Sequence, residues 1–243
     1  TYEEFLNTYS LARKVGFNNI NADLIIGLPK QTIADVENSV NELVNLKLEH
    51  ISVYSLILEE GTMLEELVRS GKLKLPEDKE ERNMYWKVKN ILEKNGYNHY
   101  EISNFAKHGS ESKHNLDCWK QKEYVGFGVA AHSYTNGVRY SNIENIEEYI
   151  KNYEEGKEED NFVFHEKQTH NMKVKEYMML GLRKIEGVCI QEFKEKFAAN
   201  PIFVFKSELE KLVNEELLEV NGDYIKLTNK GLDLANLVWE EFV

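Results

Sequence analysis

Two neighbouring stretches hold the densest set of side chains able to do chemistry: Lys113-His114-Asn115-Leu116-Asp117-Cys118-Trp119 and Gly126-Phe127-Gly128-Val129-Ala130-Ala131-His132-Ser133. Together they bring two imidazoles, a thiol, an indole and a run of small residues along which a ligand can approach the backbone. Such a set suits a large planar or nucleotide-like ligand better than a plain core. A third candidate lies upstream, where Asn21-Ala22-Asp23-Leu24-Ile25-Ile26-Gly27-Leu28-Pro29 sets a carboxylate near the start of an apolar strand and a glycine-proline turn at its end. A carboxylate can accept both hydroxyls of a ribose, and an aspartate beside a strand is equally a solvated or capping residue. Tyr100 and Glu101 close a further strand, where they could face a ligand or alternate to solvent.

The elements that would position these groups follow from periodicity. Phe5, Leu6, Tyr9, Ala12 and Val15 form a helical stripe closed by Gly16, on a helix that begins without an evident cap. Ile20 to Leu28 is a strand, and Thr32 with Asp35 offers a capping-box start to a helix carrying Val36, Val40, Leu43 and Val44 on one face. Ile51 to Leu58 reads as a second strand, Glu77 to Lys94 as a helix stopped by Asn95-Gly96, and Tyr97 to Ile102 as a third strand. This alternation implies parallel pairing, in which ligands lie beyond the carboxyl ends of the strands. From Ser141 the pattern becomes helical without intervening strands: Ile143, Ile146, Tyr149, Ile150 and Tyr153 on one helix, Glu154 to Asp160 as a charged linker, then Val174 to Arg183 and Ile190 to Ala198. Asn221-Gly222 between two apolar runs signals a hairpin, and Thr228 caps a closing helix to Phe242.

Composition narrows the function. At 243 residues and 42% hydrophobic the chain can bury a substantial core. No run approaches the roughly 18 apolar residues of a membrane span, and the start lacks a signal pattern, so the expected location is cytoplasmic. Cys118 and Cys189 are the two cysteines, too few for a disulfide framework, a four-ligand zinc site or a cysteine-held iron–sulfur cluster. A formal charge of -12 argues against nucleic acid as a partner.

Four motifs in order carry a family resemblance: Asp23-Leu24-Ile25-Ile26-Gly27-Leu28-Pro29-Lys30-Gln31-Thr32, Tyr100-Glu101-Ile102-Ser103-Asn104-Phe105-Ala106, His114-Asn115-x-x-Cys118-Trp119, and Gly126 to Ser133. They resemble the radical S-adenosylmethionine family of oxygen-independent coproporphyrinogen III oxidases, most closely its HemW-type heme-chaperone branch. The likeness runs nearly the whole length, through Glu176-Tyr177-Met178-Met179-Leu180-Gly181-Leu182-Arg183. It implies an α/β fold: a partial (β/α) radical-SAM-type barrel over 1–140, a linker helix and charged connection over 141–166, and a helical, winged-helix-like C-terminal domain over 167–243. It implies that Asp23 binds the ribose of S-adenosylmethionine and that Ile57, otherwise read as core, packs near the adenine through its backbone. Gln31 and Thr32 read as turn and cap.

For heme the resemblance points to His114, whose alternative reading is a surface-loop histidine, with Asn115 fixing the ring tautomer and Trp119 lying against the macrocycle. His132 is a further candidate whose ring otherwise satisfies a core hydrogen bond. His50, His99, His108, His165 and His170 read as surface or packing residues. The sequence departs from the family twice. The three-cysteine motif that holds the [4Fe-4S] cluster has no equivalent here, so the chain alone should not generate a radical, and its abrupt opening reads as a cut through a longer protein. Cys118 stands where the chaperone motif has tyrosine, and a thiolate can itself ligate heme iron. The implied role is heme capture and delivery to client hemoproteins such as respiratory-chain cytochromes, with S-adenosylmethionine and the cluster bound by the full-length protein. The alternatives are coproporphyrinogen III dehydrogenation and a non-catalytic interaction fragment.

Overall fold

A computed structural model describes residues 1–243, which divide into two compact units, Thr1–Ser112 and Lys113–Val243. The first unit runs α1 (Tyr2–Lys14), β1 (Asn21–Ile26), α2 (Ile33–Asn45), β2 (His50–Ser55), α3 (Met63–Arg69), α4 (Asp78–Lys94), β3 (Asn98–Glu101) and β4 (Asn104–Ala106). Thr1 does cap α1: its hydroxyl accepts from Glu4 N, and Glu4 reaches back to complete a capping box. The box expected at Thr32 forms too, with the Thr32 hydroxyl accepting from Asp35 N at 3.2 Å and the Asp35 carboxylate accepting from Thr32 N at 2.9 Å.

β1 and β2 pair in parallel, Asn21 opposite His50 through to Ile26 opposite Ser55. The sheet order is β1-β2-β4-β3, and β4 is antiparallel to both of its neighbours. The third strand is therefore not a parallel neighbour of the second. Only Ile102 and Ser103 separate β3 from β4, and a parallel return needs a crossover of a dozen or more residues, so the chain can only fold back as a hairpin. One sheet face buries Ala22, Ile26, Ile51, Val53 and Phe105 against Val36, Val40 and Leu43 of α2 and Met84, Tyr85, Val88 and Leu92 of α4. At about 1.5–3 kcal/mol for each large side chain removed from water, this layer holds the unit together.

The second unit begins with α5 (Lys113–Trp119). A three-stranded antiparallel meander follows, β5 (His132–Thr135), β6 (Val138–Asn142) and β7 (Phe162–Lys167), with α6 (Ile146–Glu154) and a 3₁₀ turn at Glu158–Asn161 inserted before β7. The meander spans the boundary expected at 140 and the linker expected over 141–166, and it puts a strand where only helices were predicted. The unit continues with α7 (His170–Gly181), β8 (Val188–Cys189), α8 (Ile190–Phe197), α9 (Pro201–Val204), α10 (Lys206–Asn214), β9 (Leu218–Asn221), β10 (Tyr224–Leu227), α11 (Asn229–Asp233) and α12 (Ala235–Glu240). The closing helix is thus broken at Leu234. The hairpin forms with Asn221 paired to Tyr224, so the turn residues are Gly222, at φ +60°, and Asp223. β8 adds a third strand beside β10, giving a small sheet of order β8-β10-β9 against the helices. Its core is aromatic: Phe193 lies within 4.9 Å of Phe197 and 5.8 Å of Tyr177, ring centre to ring centre, and Phe205 within 5.2 Å of Phe242.

Candidate functional site

In the first unit the functional candidates stand on the sheet face turned away from α2 and α4. Because strand residues alternate, Asn21 and Asp23 of β1 share that face with His50 and Ser52 of β2. His50 Nδ1 meets Asn21 Oδ1 at 2.7 Å, and its Nε2 meets the Tyr100 hydroxyl at 2.7 Å. Ser52 Oγ donates to the same Asn21 oxygen at 3.2 Å. The remaining Asn21 group, Nδ2, donates to Asp23 Oδ1 at 2.7 Å. Tyr100 in turn accepts from the Ser112 backbone N–H at 3.2 Å. Burial holds the His50 imidazole below its ordinary value and pushes the Tyr100 phenol up to about 12, so both are neutral near pH 7.

The Asp23 carboxylate is exposed, and the residue also borders a groove along the open edge of β1 lined by Tyr2, Phe5, Asn38 and Glu42. Gln31 is a turn residue, accepting from Leu28 N at 3.1 Å and donating to Ile25 O at 3.3 Å. Ile57, read from composition as core, is 74% exposed beyond the end of β2. Ile25, Leu28, Tyr54 and Met63 are also exposed, and this apolar fringe around the strand ends suits a purine ring. Glu101 does not alternate to solvent: it is buried, and its carboxylate accepts from Asn104 Nδ2. Sequence reasoning missed His50. The signal available was its register, two strand starts aligned so that His50 and Asn21 fall on the face that carries Asp23.

In the second unit, α5 sets His114 and Cys118 one turn apart on one helix face, His114 Nε2 lying 3.8 Å from Cys118 Sγ. His114 is exposed and Cys118 half-buried. Burial, with Asp117 adding to it, pushes the Cys118 thiol up, which keeps it protonated near neutral pH. Trp119 is engaged elsewhere: the Arg183 guanidinium stands 4.9 Å over its ring and 4.1 Å over that of Trp239.

His132 is not a core histidine. It is exposed at the start of β5 and stacks on His165 at 5.2 Å, and His165 Nε2 meets Ser141 Oγ at 2.9 Å. The two rings line a cleft with Tyr124, Ser133, Arg139 and Glu166. The glycine-rich run before it is a clamped loop. Gly126 N donates to Ser133 Oγ at 2.9 Å, Asn142 Nδ2 donates to Gly128 O at 2.6 Å, and a Cβ at Gly126 would collide with the His132 carbonyl. The loop holds Phe127 out to solvent, 89% exposed.

These residues fit some of the expected groups and not others. An exposed imidazole on α5 fits an axial donor to heme iron, and a carboxylate beside an apolar fringe fits the nucleoside part of S-adenosylmethionine. A [4Fe-4S] cluster does not fit: Cys118 and Cys189 are the only thiols, and no three His, Cys, Asp or Glu side chains converge on one point.

Residues 168–234 match the family described as the HemN C-terminal domain. The heme chaperone HemW of Lactococcus lactis is 40% identical over 231 residues, covering 95% of this chain and 60% of that protein. The heme chaperone HemW of Bacillus subtilis is 38% identical over 245 residues, covering 99% of this chain and 63% of that protein. Among solved structures, Escherichia coli coproporphyrinogen III oxidase (HemN), described as a radical SAM enzyme, matches with a TM-score of 0.77 at 19% identity, covering 100% of this chain and 58% of that one, a likeness of fold. The chain thus spans about three fifths of the length of these relatives. Residues 168–234 thus carry a HemN C-terminal domain, and nearly the whole chain is similar in sequence to proteins named heme chaperone HemW and in fold to HemN.

Proposed function

We propose that the chain is the heme-capturing and nucleoside-binding part of a HemW-like heme chaperone, which passes heme to a client hemoprotein in the cytoplasm, including clients of the respiratory chain. The observation that carries this reading is the His114–Cys118 pair on α5, an accessible imidazole beside a thiol. Relatives named heme chaperone HemW, 38% and 40% identical over most of the chain, support it.

The chemistry divides between the two residues. A neutral imidazole nitrogen donates its lone pair to heme iron without losing a proton, whereas Cys118 would have to give one up against a raised pKa. His114 is therefore the axial ligand and Cys118 its neutral neighbour. An axial ligand on an exposed helix face can exchange for a client's own ligand, which is what delivery requires. In the first unit, Asp23 accepts the ribose hydroxyls of S-adenosylmethionine, and the backbone at Ile57 borders its adenine. S-adenosylmethionine and the cluster belong to the full-length protein, and this chain's residues supply no step through the cluster.

A heme titration followed by visible absorption tests this. The expected result is a saturable Soret band of one-to-one stoichiometry, weakened at least tenfold by His114→Ala and little by Cys118→Ala. Nonsaturating uptake that neither substitution changes would overturn it, and turnover of coproporphyrinogen III by the full-length protein would favour the oxidase instead.

A further inference from the structure

We infer that Asn21, His50 and Tyr100 are positioning residues that lock the Asp23 carboxylate in one orientation for a vicinal diol, an inference that rests on the reading of Asp23 as a ribose ligand. The directions are fixed from the carboxylate end of the set. Asp23 Oδ1 accepts, so the Asn21 group that faces it at 2.7 Å is Nδ2. Asn21 Oδ1 is then the acceptor for His50 Nδ1–H, and Ser52 Oγ donates to the same oxygen. With the proton of the neutral imidazole on Nδ1, Nε2 accepts from the Tyr100 O–H, and the Tyr100 oxygen accepts in turn from the Ser112 N–H.

The consequence lies in the carboxylate. A free aspartate on a strand rotates among several orientations, and only those that present both oxygens outward can accept two adjacent hydroxyls. Asn21 occupies one lone pair of Oδ1 and leaves the second lone pair of Oδ1 and all of Oδ2 available. His50 and Tyr100 are buried, so water does not compete for the bonds that fix the amide. The exposed end of the set is thus held by its buried end, the usual arrangement when a site must be formed before its ligand arrives.

The test compares two nucleosides on the same protein by calorimetry: adenosine, which carries the diol, and 2′,3′-dideoxyadenosine, which lacks it. The wild-type chain should prefer adenosine, and Asp23→Asn should lower that preference. Asn21→Ala and His50→Leu should each reduce the preference about five- to tenfold while leaving dideoxyadenosine affinity unchanged, a split that a general loss of structure would not produce. His50→Asn, whose amide N–H can take the place of Nδ1–H, should recover most of it. A preference that survives both Asn21→Ala and His50→Leu overturns the positioning role alone. Equal or undetectable binding of both nucleosides by the wild-type chain removes the ribose reading of Asp23 as well.

Discussion

His50 and His99 show how burial turns histidines into neutral struts. The His99 ring stacks on Phe105 at 4.4 Å, and its Nε2 lies 3.2 Å from the Tyr85 hydroxyl and 3.3 Å from Ile102 O. Its Nδ1 is buried without a partner. Burial pulls its pKa from an ordinary 6.5 to about 4. A folded value below the unfolded one means that the unfolded chain binds a proton the native chain refuses. This stability is therefore complete above about pH 6.5 and falls as pH drops towards 4. At about 1.4 kcal/mol per pH unit the loss approaches about 3 kcal/mol. Urea midpoints measured between pH 7 and pH 4.5 should fall steeply for the wild type and less steeply for His99→Leu. Parallel slopes for the two proteins would show that His99 charges freely in the native state.

At the scale of elements, the Trp119–Arg183–Trp239 stack ties α5, which carries the proposed heme ligand, to the end of α7 and to α12. Cation–π contacts of this kind contribute about 0.5–2 kcal/mol each. Arg183→Leu should therefore lower the thermal midpoint by several degrees and weaken heme binding slightly, whereas His114→Ala should weaken binding at least tenfold with the midpoint unchanged. Equal midpoints for Arg183→Leu and wild type would remove the stack as the anchor of α5. The sequence announces elements like α2, where the cap at Thr32 and the stripe Val36-Val40-Leu43 agree. It does not announce β7: Phe162, Val163 and Phe164 are all exposed on an edge strand, so no alternation of burial marks them, and the charged run before them reads as a linker. The same blindness reverses α6, whose apparent core stripe leaves Ile146, Ile150 and Tyr153 exposed. In the candidate sites, Asp23 and His114 could be picked out as isolated side chains. Their surroundings could not, because Asn21–His50 and Trp119–Arg183 meet only through strand register and helix packing.

At the scale of the molecule, charge decides what the winged-helix-like part can meet. Such modules read DNA when a helix and a β-hairpin present unpaired cations to the phosphates. Here Lys206 pairs with Glu210 along α10, Lys211 with Glu241, Lys226 with Glu219 across the hairpin, and Lys230 faces Glu216 at 3.9 Å. These four cations thus each have a carboxylate nearby, and Lys196 of α8 donates to the Lys120 and Gln121 carbonyls, on a chain of net charge -12. Releasing counterions from DNA would first require breaking these pairs against the repulsion of the remaining acids. Fluorescence anisotropy with a short labelled duplex at physiological salt should show no saturation up to about 0.1 mM protein, at the weak limit of non-specific binding. A saturating curve whose affinity falls steeply with added salt would mean that these lysines leave their carboxylates for phosphate. The module would then have to be read as a nucleic-acid reader rather than as a domain of the proposed heme chaperone.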